Sequence, residues 1–339
     1  MGEHSAVYGG PAVVTTVGMT CRTSADRPNS GAVRLTLDDE ATLVDASWDR
    51  LREYAAQAGD DQVRPTVFDL AEPEHAHRIH LPLIALGEFA AAHPPCSLPP
   101  LNLRITSTVP PSRGMGSSAA LAVSVLAALG SVCGTSGGIE ALEPLIAAVE
   151  QRQHHAASGI DHRTIMLGRT VAFRRRGDRS HGVPVPDKTE VLTRLAIYDT
   201  GPTEATGQVV AGVRQHLLHD ERRLRQVLDA MAKRTDTFIR ALDGDGDARA
   251  VTESITSYQR GLEALGVVPD PIRILVRRIE AAGGAAKISG SGSLTGPGAG
   301  ALIVYWPLGP PSVPLNALAP YPRIVAPLGV DGLKVTTCP

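Results

Sequence analysis

The chain of 339 residues has an ordinary globular composition, with 43% hydrophobic residues, 20% charged residues and a formal net charge of −2. This length predicts two domains, and the composition excludes a largely disordered chain or a basic surface for nucleic acid or acidic membranes. The four cysteines lack CxxC spacing, which indicates a reducing, cytoplasmic compartment. We expect neither a membrane-spanning segment nor a secretory signal, because no suitable apolar run is present.

The first part of the chain predicts alternating strands and helices. The opening GEHSAVYGGPAVVTTV combines a turn-rich start with a β-like run, and helical patterns follow at 45–57 and 81–92. LNLRITSTV (101–109) alternates apolar and polar side chains, which predicts a strand. LAVSVLAAL (121–129) is apolar nearly all round, which predicts a buried helix.

The later part of the chain predicts long helices and a strand pair. A helix with one apolar face is expected to end near residue 156, and the polar stretch 180–189 is the best candidate for a boundary between domains 1–188 and 189–339. A strand is predicted at 194–198, and the helices after it share an apolar stripe of Leu224, Leu228, Met231, Phe238 and Leu242. GGAAKIS and AGALIVYW predict two strands joined by a glycine-rich loop.

The segment PPSRGMGSSAA (110–120) lies between the predicted strand and the buried helix. Small residues at a helix start leave backbone N–H groups free, and the helix dipole favours an anion there, most often phosphate. The same pattern also serves as a plain helix cap, which is the more common outcome for such a loop taken alone. The GxxxxGK[ST] pattern is absent, so this is not the loop of P-loop nucleotide hydrolases.

Two carboxylates further along are candidates for chemistry. Glu150 lies on the last turns of a predicted helix, and Asp161 follows a Ser158–Gly159 turn that can fold it back toward Glu150. Phosphoryl transfer to a hydroxyl uses one carboxylate to hold Mg²⁺ and another to accept the proton. Either residue alone could equally be a solvated surface charge. The second glycine-rich loop could likewise be a flexible hairpin without a binding role. The GEHS opening could be a disordered chain end.

Taken together, these motifs resemble the GHMP kinases, and within them most closely the mevalonate kinases. Three motifs occur in family order: GEHSAVYGGPAVV (2–14), PPSRGMGSSAA (110–120) and KISGSGSLTGPGAG (287–300). The segments EQRQHHAASGID (150–161) and DTGPTEATGQVVAGVR (199–214) resemble further family segments, so the resemblance covers nearly the whole chain. It implies an α+β, two-domain fold, with an ATP-binding domain at 1–188 and a ferredoxin-like domain at 189–339.

The resemblance also implies an activity and roles for particular residues. The protein would use ATP and Mg²⁺ to phosphorylate the primary hydroxyl of mevalonate in isoprenoid synthesis, without nucleic-acid or membrane partners. A homodimer is compatible with the resemblance, because relatives are often dimers. Asp161 would accept the hydroxyl proton, while Ser118 and Glu150 would ligate Mg²⁺. Glu3, His4 and Thr206 would line the acceptor pocket. The ATP phosphates would lie against the first glycine-rich loop, and Gly290 and Gly292 would support that loop from behind. The loop residues are Pro111, Ser112, Arg113, Gly114, Met115, Gly116, Ser117 and Ser118.

The chain departs from the family pattern at three places. The third motif is longer and contains Pro297, and His162 follows Asp161 where asparagine is usual. The family lysine that precedes GEH and pairs with the catalytic aspartate has no counterpart before Lys188, so we expect the reading frame to continue upstream of Met1. Two alternatives therefore stay open: a GHMP kinase for another hydroxylated metabolite, such as phosphomevalonate or a sugar, and a non-catalytic member that binds nucleotide or metabolite.

Overall fold

A computed structural model describes residues 1–38, 44–58, 73–95, 98–135, 138–154, 158–176, 179–186, 190–217, 220–244, 247–311 and 315–337. The helices in these ranges are α1 (Glu3–Val7), α2 (Trp48–Gln57), α3 (Pro73–Ala91), α4 (Ser117–Cys133), α5 (Glu143–His154), α6 (Ile160–Leu167), α7 (Glu190–Thr193), α8 (Thr206–Leu217), α9 (Glu221–Asp243), α10 (Ala248–Ala264) and α11 (Asp270–Ala281). The strands are β1 (Ala12–Thr15), β2 (Cys21–Asp26), β3 (Val33–Leu37), β4 (Val44–Ala46), β5 (Leu101–Ser107), β6 (Thr170–Arg176), β7 (Arg179–Pro184), β8 (Leu195–Asp199), β9 (Ala285–Ile288), β10 (Ala301–Tyr305) and β11 (Arg323–Ile324).

The chain divides into two compact units whose segments alternate along the sequence. Unit 1 comprises Met1–Gly18, Pro110–Gly116 and Leu167–Gly332, and unit 2 comprises Met19–Val109, Ser117–Met166 and Leu333–Pro339. The boundary predicted at residue 188 does not coincide with a limit of either unit. The polar stretch that suggested it contains β7, which pairs with β6 in the register Arg175↔Ser180. Its polarity is that of an edge strand rather than of a linker.

Unit 2 is a four-stranded sheet covered by helices. The strand order is β2-β5-β3-β4, with β3 and β5 parallel and the other pairs antiparallel. The alternation predicted for β5 is confirmed, because Leu101, Leu103 and Ile105 are buried. The helix predicted at 121–129 is confirmed as part of α4, whose Val123 and Leu126 are fully buried in the same core.

Unit 1 contains the sheet β1-β6-β7 and the sheet β11-β8-β10-β9. If the four strands of the second sheet are numbered by their order along the chain, they lie side by side in the order 4-1-3-2, and each pair of neighbours is antiparallel. This is the strand order of the ferredoxin-like fold. The predicted ferredoxin-like domain is therefore confirmed in its strand order. The two predicted strands around the second glycine-rich loop are β9 and β10, paired in the register Leu302↔Ile288. Between β10 and β11 the described residues form the 3-10 turn Asn316–Leu318.

The long helices after β8 carry the predicted apolar stripe. Leu228, Met231, Phe238 and Leu242 of α9 are buried. Helix α9 packs on α10, which in turn packs on β9, and these contacts form part of the core of unit 1. Polar side chains occupy the opposite face of α9, as expected for an amphipathic helix of a globular protein. The predicted α+β class is thus confirmed in both units.

Some predicted bounds were wrong at the N-terminal side of the helices. The helix expected at 45–57 begins at Trp48, because Ser47 caps it by accepting a hydrogen bond from the Arg50 amide. The preceding residues form β4, in which Val44 and Ala46 are buried on either side of exposed Asp45. The helix expected at 81–92 begins earlier, at Pro73.

None of the helices in the described ranges combines the length and the apolar character needed to cross a membrane.

Candidate active site

The first glycine loop, residues 110–116 of unit 1, lies directly against the second glycine loop, residues 289–300. Gly114 has φ +64°, and a Cβ atom added to it would lie 2.3 Å from the carbonyl oxygen of Ser289. A Cβ added to Gly290 would lie 2.5 Å from the Cα of Gly114. Ser289 Oγ also donates a hydrogen bond of 3.1 Å to the Gly114 carbonyl. Only glycine permits this approach of two backbones, which explains the small residues in both motifs.

Gly116 differs from Gly114 in what surrounds it. Its φ is +70°, and a Cβ added there would meet no atom of the described chain within 4 Å, its two neighbours excepted. The space beside this backbone is therefore open, as a bound phosphate would require. Pro111 and Ser112 are exposed and Met115 is half-buried in the same loop, and Ser117 begins α4 in unit 2.

The N-terminal motif is tied to β9 by a buried ion pair. Glu3 of α1 accepts a hydrogen bond from Lys287 Nζ, which also donates to the carbonyl of Ile288 at 2.6 Å. Burial alone would raise the pKa of Glu3, but the charge of Lys287 and its hydrogen bond act in the opposite direction and lower it below its usual range. Glu3 was predicted to contact the acceptor; in unit 1 one of its oxygens is bound by lysine and Oε2 is buried without a hydrogen-bond partner.

Sequence reasoning assigned no role to Lys287, although it is one of four lysines in the chain. Its side chain is 2% exposed, and Nζ lies 5.6 Å from the ring centroid of Tyr258. The hydroxyl of Tyr258 accepts a hydrogen bond of 3.0 Å from the Gly2 amide. The rarity of lysine and its position at the start of the third motif were the available signals.

His4 is buried beside the second glycine loop. Its Nε2 lies 2.9 Å from the carbonyl oxygen of Ser291. Because a carbonyl oxygen only accepts hydrogen bonds, Nε2 carries the proton in this arrangement. Burial lowers the pKa of His4, so the ring is neutral at physiological pH. Its contact with an acceptor stays a prediction.

Unit 2 brings together the predicted metal ligands and the predicted base. Glu150 of α5 is buried, and its side chain hydrogen-bonds with Ser118 in the first turn of α4. Burial and the negative charge of Asp161, in the first turn of α6, raise the pKa of Glu150 to about 8. Glu150 Oε1 is buried without a hydrogen-bond partner. An unsatisfied carboxylate oxygen beside a second carboxylate is a costly arrangement that a divalent cation relieves.

The donor set fits Mg²⁺ rather than a transition metal. Hydroxyl and carboxylate oxygens are the ligands that Mg²⁺ prefers, together with water and substrate phosphates. Across the described ranges, no group of three or more histidine, cysteine, aspartate or glutamate side chains is placed to hold a metal ion. Such a group would be needed for a dedicated all-protein metal cage, whereas two protein ligands suffice for Mg²⁺ that is shared with a nucleotide.

His162 follows Asp161, and its imidazole ring is buried without hydrogen bonds to its nitrogens. The residue is 2% exposed. Burial and the nearby charge of Arg163 lower its pKa to about 4, against a smaller opposing effect of Glu143. The imidazole is thus neutral at pH 7.

The remaining predicted residues lie in unit 1. Thr206 is the first residue of α8 and is half-buried. Gly292, predicted to support the first glycine loop, approaches a different backbone, since its added Cβ would lie 2.2 Å from the Val267 carbonyl oxygen. Gly290 alone of this pair contacts the first glycine loop closely.

Comparison with protein families and curated proteins gives a consistent result. Residues 80–169 match the family described as "GHMP kinases N terminal domain". The mevalonate kinase of Pyrococcus horikoshii is 26% identical over 302 residues, which cover 86% of this chain and 82% of that protein. Such similarity over most of both chains indicates a common fold.

Solved structures of GHMP kinases have the same fold. The mevalonate kinase of L. major, crystallised with R-mevalonate, superimposes with a TM-score of 0.63 at 18% identity and covers 98% of this chain and 93% of its own. The phosphomevalonate kinase of Streptococcus pneumoniae, crystallised with phosphomevalonate and AMPPNP, gives 0.64 at 18% identity over 90% and 88% of the two chains. The predicted fold is confirmed by these comparisons.

Lys287→Met should destabilise the protein by about 3–5 kcal/mol, because it leaves the Glu3 carboxylate buried without its counter-charge. Urea unfolding monitored by circular dichroism measures the loss. The double variant Glu3→Gln/Lys287→Met removes both charges and should recover most of the stability. Equal stabilities of the wild type and Lys287→Met would contradict the assigned ion pair.

His162 predicts a specific acid sensitivity. Its pKa is about 4 in the folded chain and about 6.5 when unfolded, so the unfolded chain binds more protons between these values and stability falls as the pH falls. The integrated loss from pH 7 to pH 5 is roughly 2 kcal/mol. His162→Asn should remove that part of the pH dependence in thermal unfolding, whereas His181→Asn, at an exposed position on β7, should leave it unchanged.

Proposed function

We propose that this chain, which belongs to the GHMP kinases, transfers the γ-phosphoryl group of ATP to the primary hydroxyl of mevalonate. The observation that carries the proposal is the cluster of Ser118, Glu150 and Asp161, in which a buried carboxylate with a raised pKa lies beside a second carboxylate. The stability cost of that arrangement is understandable if a cation and a proton transfer require it.

The roles divide between the residues of this cluster. Ser118 and Glu150 would hold Mg²⁺, which supplies positive charge to the phosphate oxygens when it is bound. Asp161 would take the proton from the acceptor hydroxyl as that oxygen bonds to the γ-phosphorus and the bond to the β-phosphate oxygen breaks, releasing ADP. Asp161 is suited to this role because a positioned carboxylate side chain is a common general base.

The phosphates would lie along the first glycine loop. The open space beside Gly116 supports this role, since a phosphate oxygen could approach the backbone N–H groups there without meeting a side chain. The neutral His4, with its proton on Nε2 directed at Ser291, would offer its other ring nitrogen only as an acceptor. His4, Glu3 and Thr206 are proposed to face the acceptor.

Mevalonate is favoured as the acceptor by the similarity to the Pyrococcus horikoshii mevalonate kinase along 86% of this chain. The GEHSAVYGG motif supports the same choice. Phosphomevalonate is the second candidate, because a phosphomevalonate kinase structure has a TM-score of 0.64, against 0.63 for a mevalonate kinase structure. The fold alone therefore does not separate the two acceptors.

A coupled assay of ADP release tests the reaction and the acceptor together. With ATP and Mg²⁺, we expect turnover on mevalonate and little on phosphomevalonate or galactose. Asp161→Asn should abolish turnover while ATP still binds, because it removes the proton acceptor and leaves the loop intact. Asp49→Asn, in the first turn of α2, is the matched control and should retain activity. ATP binding with no turnover on any acceptor would instead indicate a non-catalytic nucleotide-binding protein.

Gly116→Val should weaken ATP binding by roughly tenfold or more, because the side chain fills the space proposed for phosphate. Valine is also strained at the φ of +70° found there, so the control must carry the same strain. Gly134 has φ +69° and equally open surroundings, and it lies at the end of α4. Gly134→Val should lower the melting temperature similarly and leave the ATP affinity unchanged in calorimetric titration. Equal ATP affinity in both variants would mean that the loop is only a helix cap.

A further inference from the structure

Ser112, in the first glycine loop, has a backbone conformation that needs external support. Its φ is +54°, in the left-handed region that non-glycine residues rarely adopt. Residues held in such a conformation persist only where their surroundings restrain them, and they concentrate at functional sites. The contacts that hold Ser112 therefore decide the shape of the loop.

Those contacts come from the last residue of β8 and from the segment that follows it. The carbonyl oxygen of Ser112 accepts hydrogen bonds from the Thr203 amide at 2.8 Å and from Thr203 Oγ1 at 3.3 Å. Arg113 Nε donates to Asp199 Oδ1 at 2.7 Å, and the same oxygen accepts from the Gly201 amide at 2.8 Å. Asp199 thus holds the loop and its own segment at once.

The ion pair of Arg113 with Asp199 is more shielded than an ordinary surface pair. Both side chains are 23% exposed, whereas the exposed pair Arg34–Asp45 in unit 2 has 56% and 52%. Charge-assisted hydrogen bonds strengthen as solvent is excluded. The Arg113 carbonyl is also held, since it accepts from the Ala301 amide at 2.8 Å at the start of β10. Arg113 is therefore restrained through both its side chain and its backbone.

We propose that Asp199 is a positioning residue for ATP binding: its ion pair with Arg113 keeps Ser112 left-handed and so presents the amides of the first glycine loop in their binding geometry. This role rests on the proposed function, because it concerns the loop assigned to the ATP phosphates. A loop ordered before the ligand arrives binds more tightly, since binding then costs less conformational entropy.

Asp199→Asn is the direct test. The amide oxygen can still accept from the Gly201 amide, but the charge that holds Arg113 is lost. We expect about tenfold weaker ATP binding by calorimetry and a similar rise in the KM for ATP, corresponding to the loss of one charge-assisted hydrogen bond. The kcat and the KM for the acceptor should change little. Asp45→Asn, which removes the exposed pair on β4, should change none of these values.

A coupling measurement separates positioning from general destabilisation. Glycine adopts a positive φ freely, so in a Ser112→Gly background the loop needs less restraint. Asp199→Asn should therefore cost less ATP affinity in that background than in the wild type. A purely structural role predicts equal, additive losses. Thr203→Val removes one of the three donors to the Ser112 carbonyl, the others being the Thr203 amide and Arg113 Nη1, and should weaken ATP binding in the same direction. It provides a second variant should Asp199→Asn fail to fold.

Hydrogen exchange without ligand makes the outcomes distinguishable. If Asp199 positions the loop, peptides covering 110–116 should exchange faster in Asp199→Asn than in the wild type. Faster exchange in a protein that never binds ATP would support the restraint and overturn the proposed function. Unchanged exchange and unchanged ATP affinity in a wild type that does bind ATP would overturn the positioning role and leave the kinase proposal standing.

Discussion

The close approach of Gly114 to Ser289 and Gly290 is the constraint on which the organisation of unit 1 depends. It brings two backbones together at a distance that no side chain on either glycine would allow. The second glycine loop connects β9 to β10, so the contact attaches the first glycine loop to the ferredoxin-like sheet. Lys287 on β9 then binds Glu3, which attaches the N-terminal motif to the same strand. Three segments far apart in sequence are thereby held by one sheet.

Two buried glutamates show how partners decide the state of a carboxyl group. Glu3 has Lys287 as its charged neighbour, and its pKa is lowered despite burial. Glu150 has a second carboxylate as its charged neighbour, and its pKa rises to about 8. In the first arrangement the positive neighbour keeps the carboxyl group ionised. In the second, the neighbouring charge that acts on Glu150 is another carboxylate, which is the property expected of a site that receives a cation.

Asp199 and Thr203 link the strained first glycine loop to the end of β8. Their hydrogen bonds restrain Ser112 and Arg113, neither of which has the freedom of glycine. The loop thus combines glycines where backbones meet with larger residues that are held by specific partners. Such a division lets the loop be rigid at its start and open at Gly116, where a ligand needs room.

Local sequence patterns determined the positions of several helices and strands. The alternation in β5, the apolar character of α4 and the apolar stripe of α9 can each be recognised from a short run of residues. This is possible because side-chain periodicity depends on local geometry alone. The order of the glycine motifs also indicated the family. The pairing of β7 with β6 and the partners of Lys287 and Asp199 were decided only by tertiary structure. These contacts join residues up to 284 positions apart, and their energies depend on burial and on neighbouring charge, which no local pattern encodes.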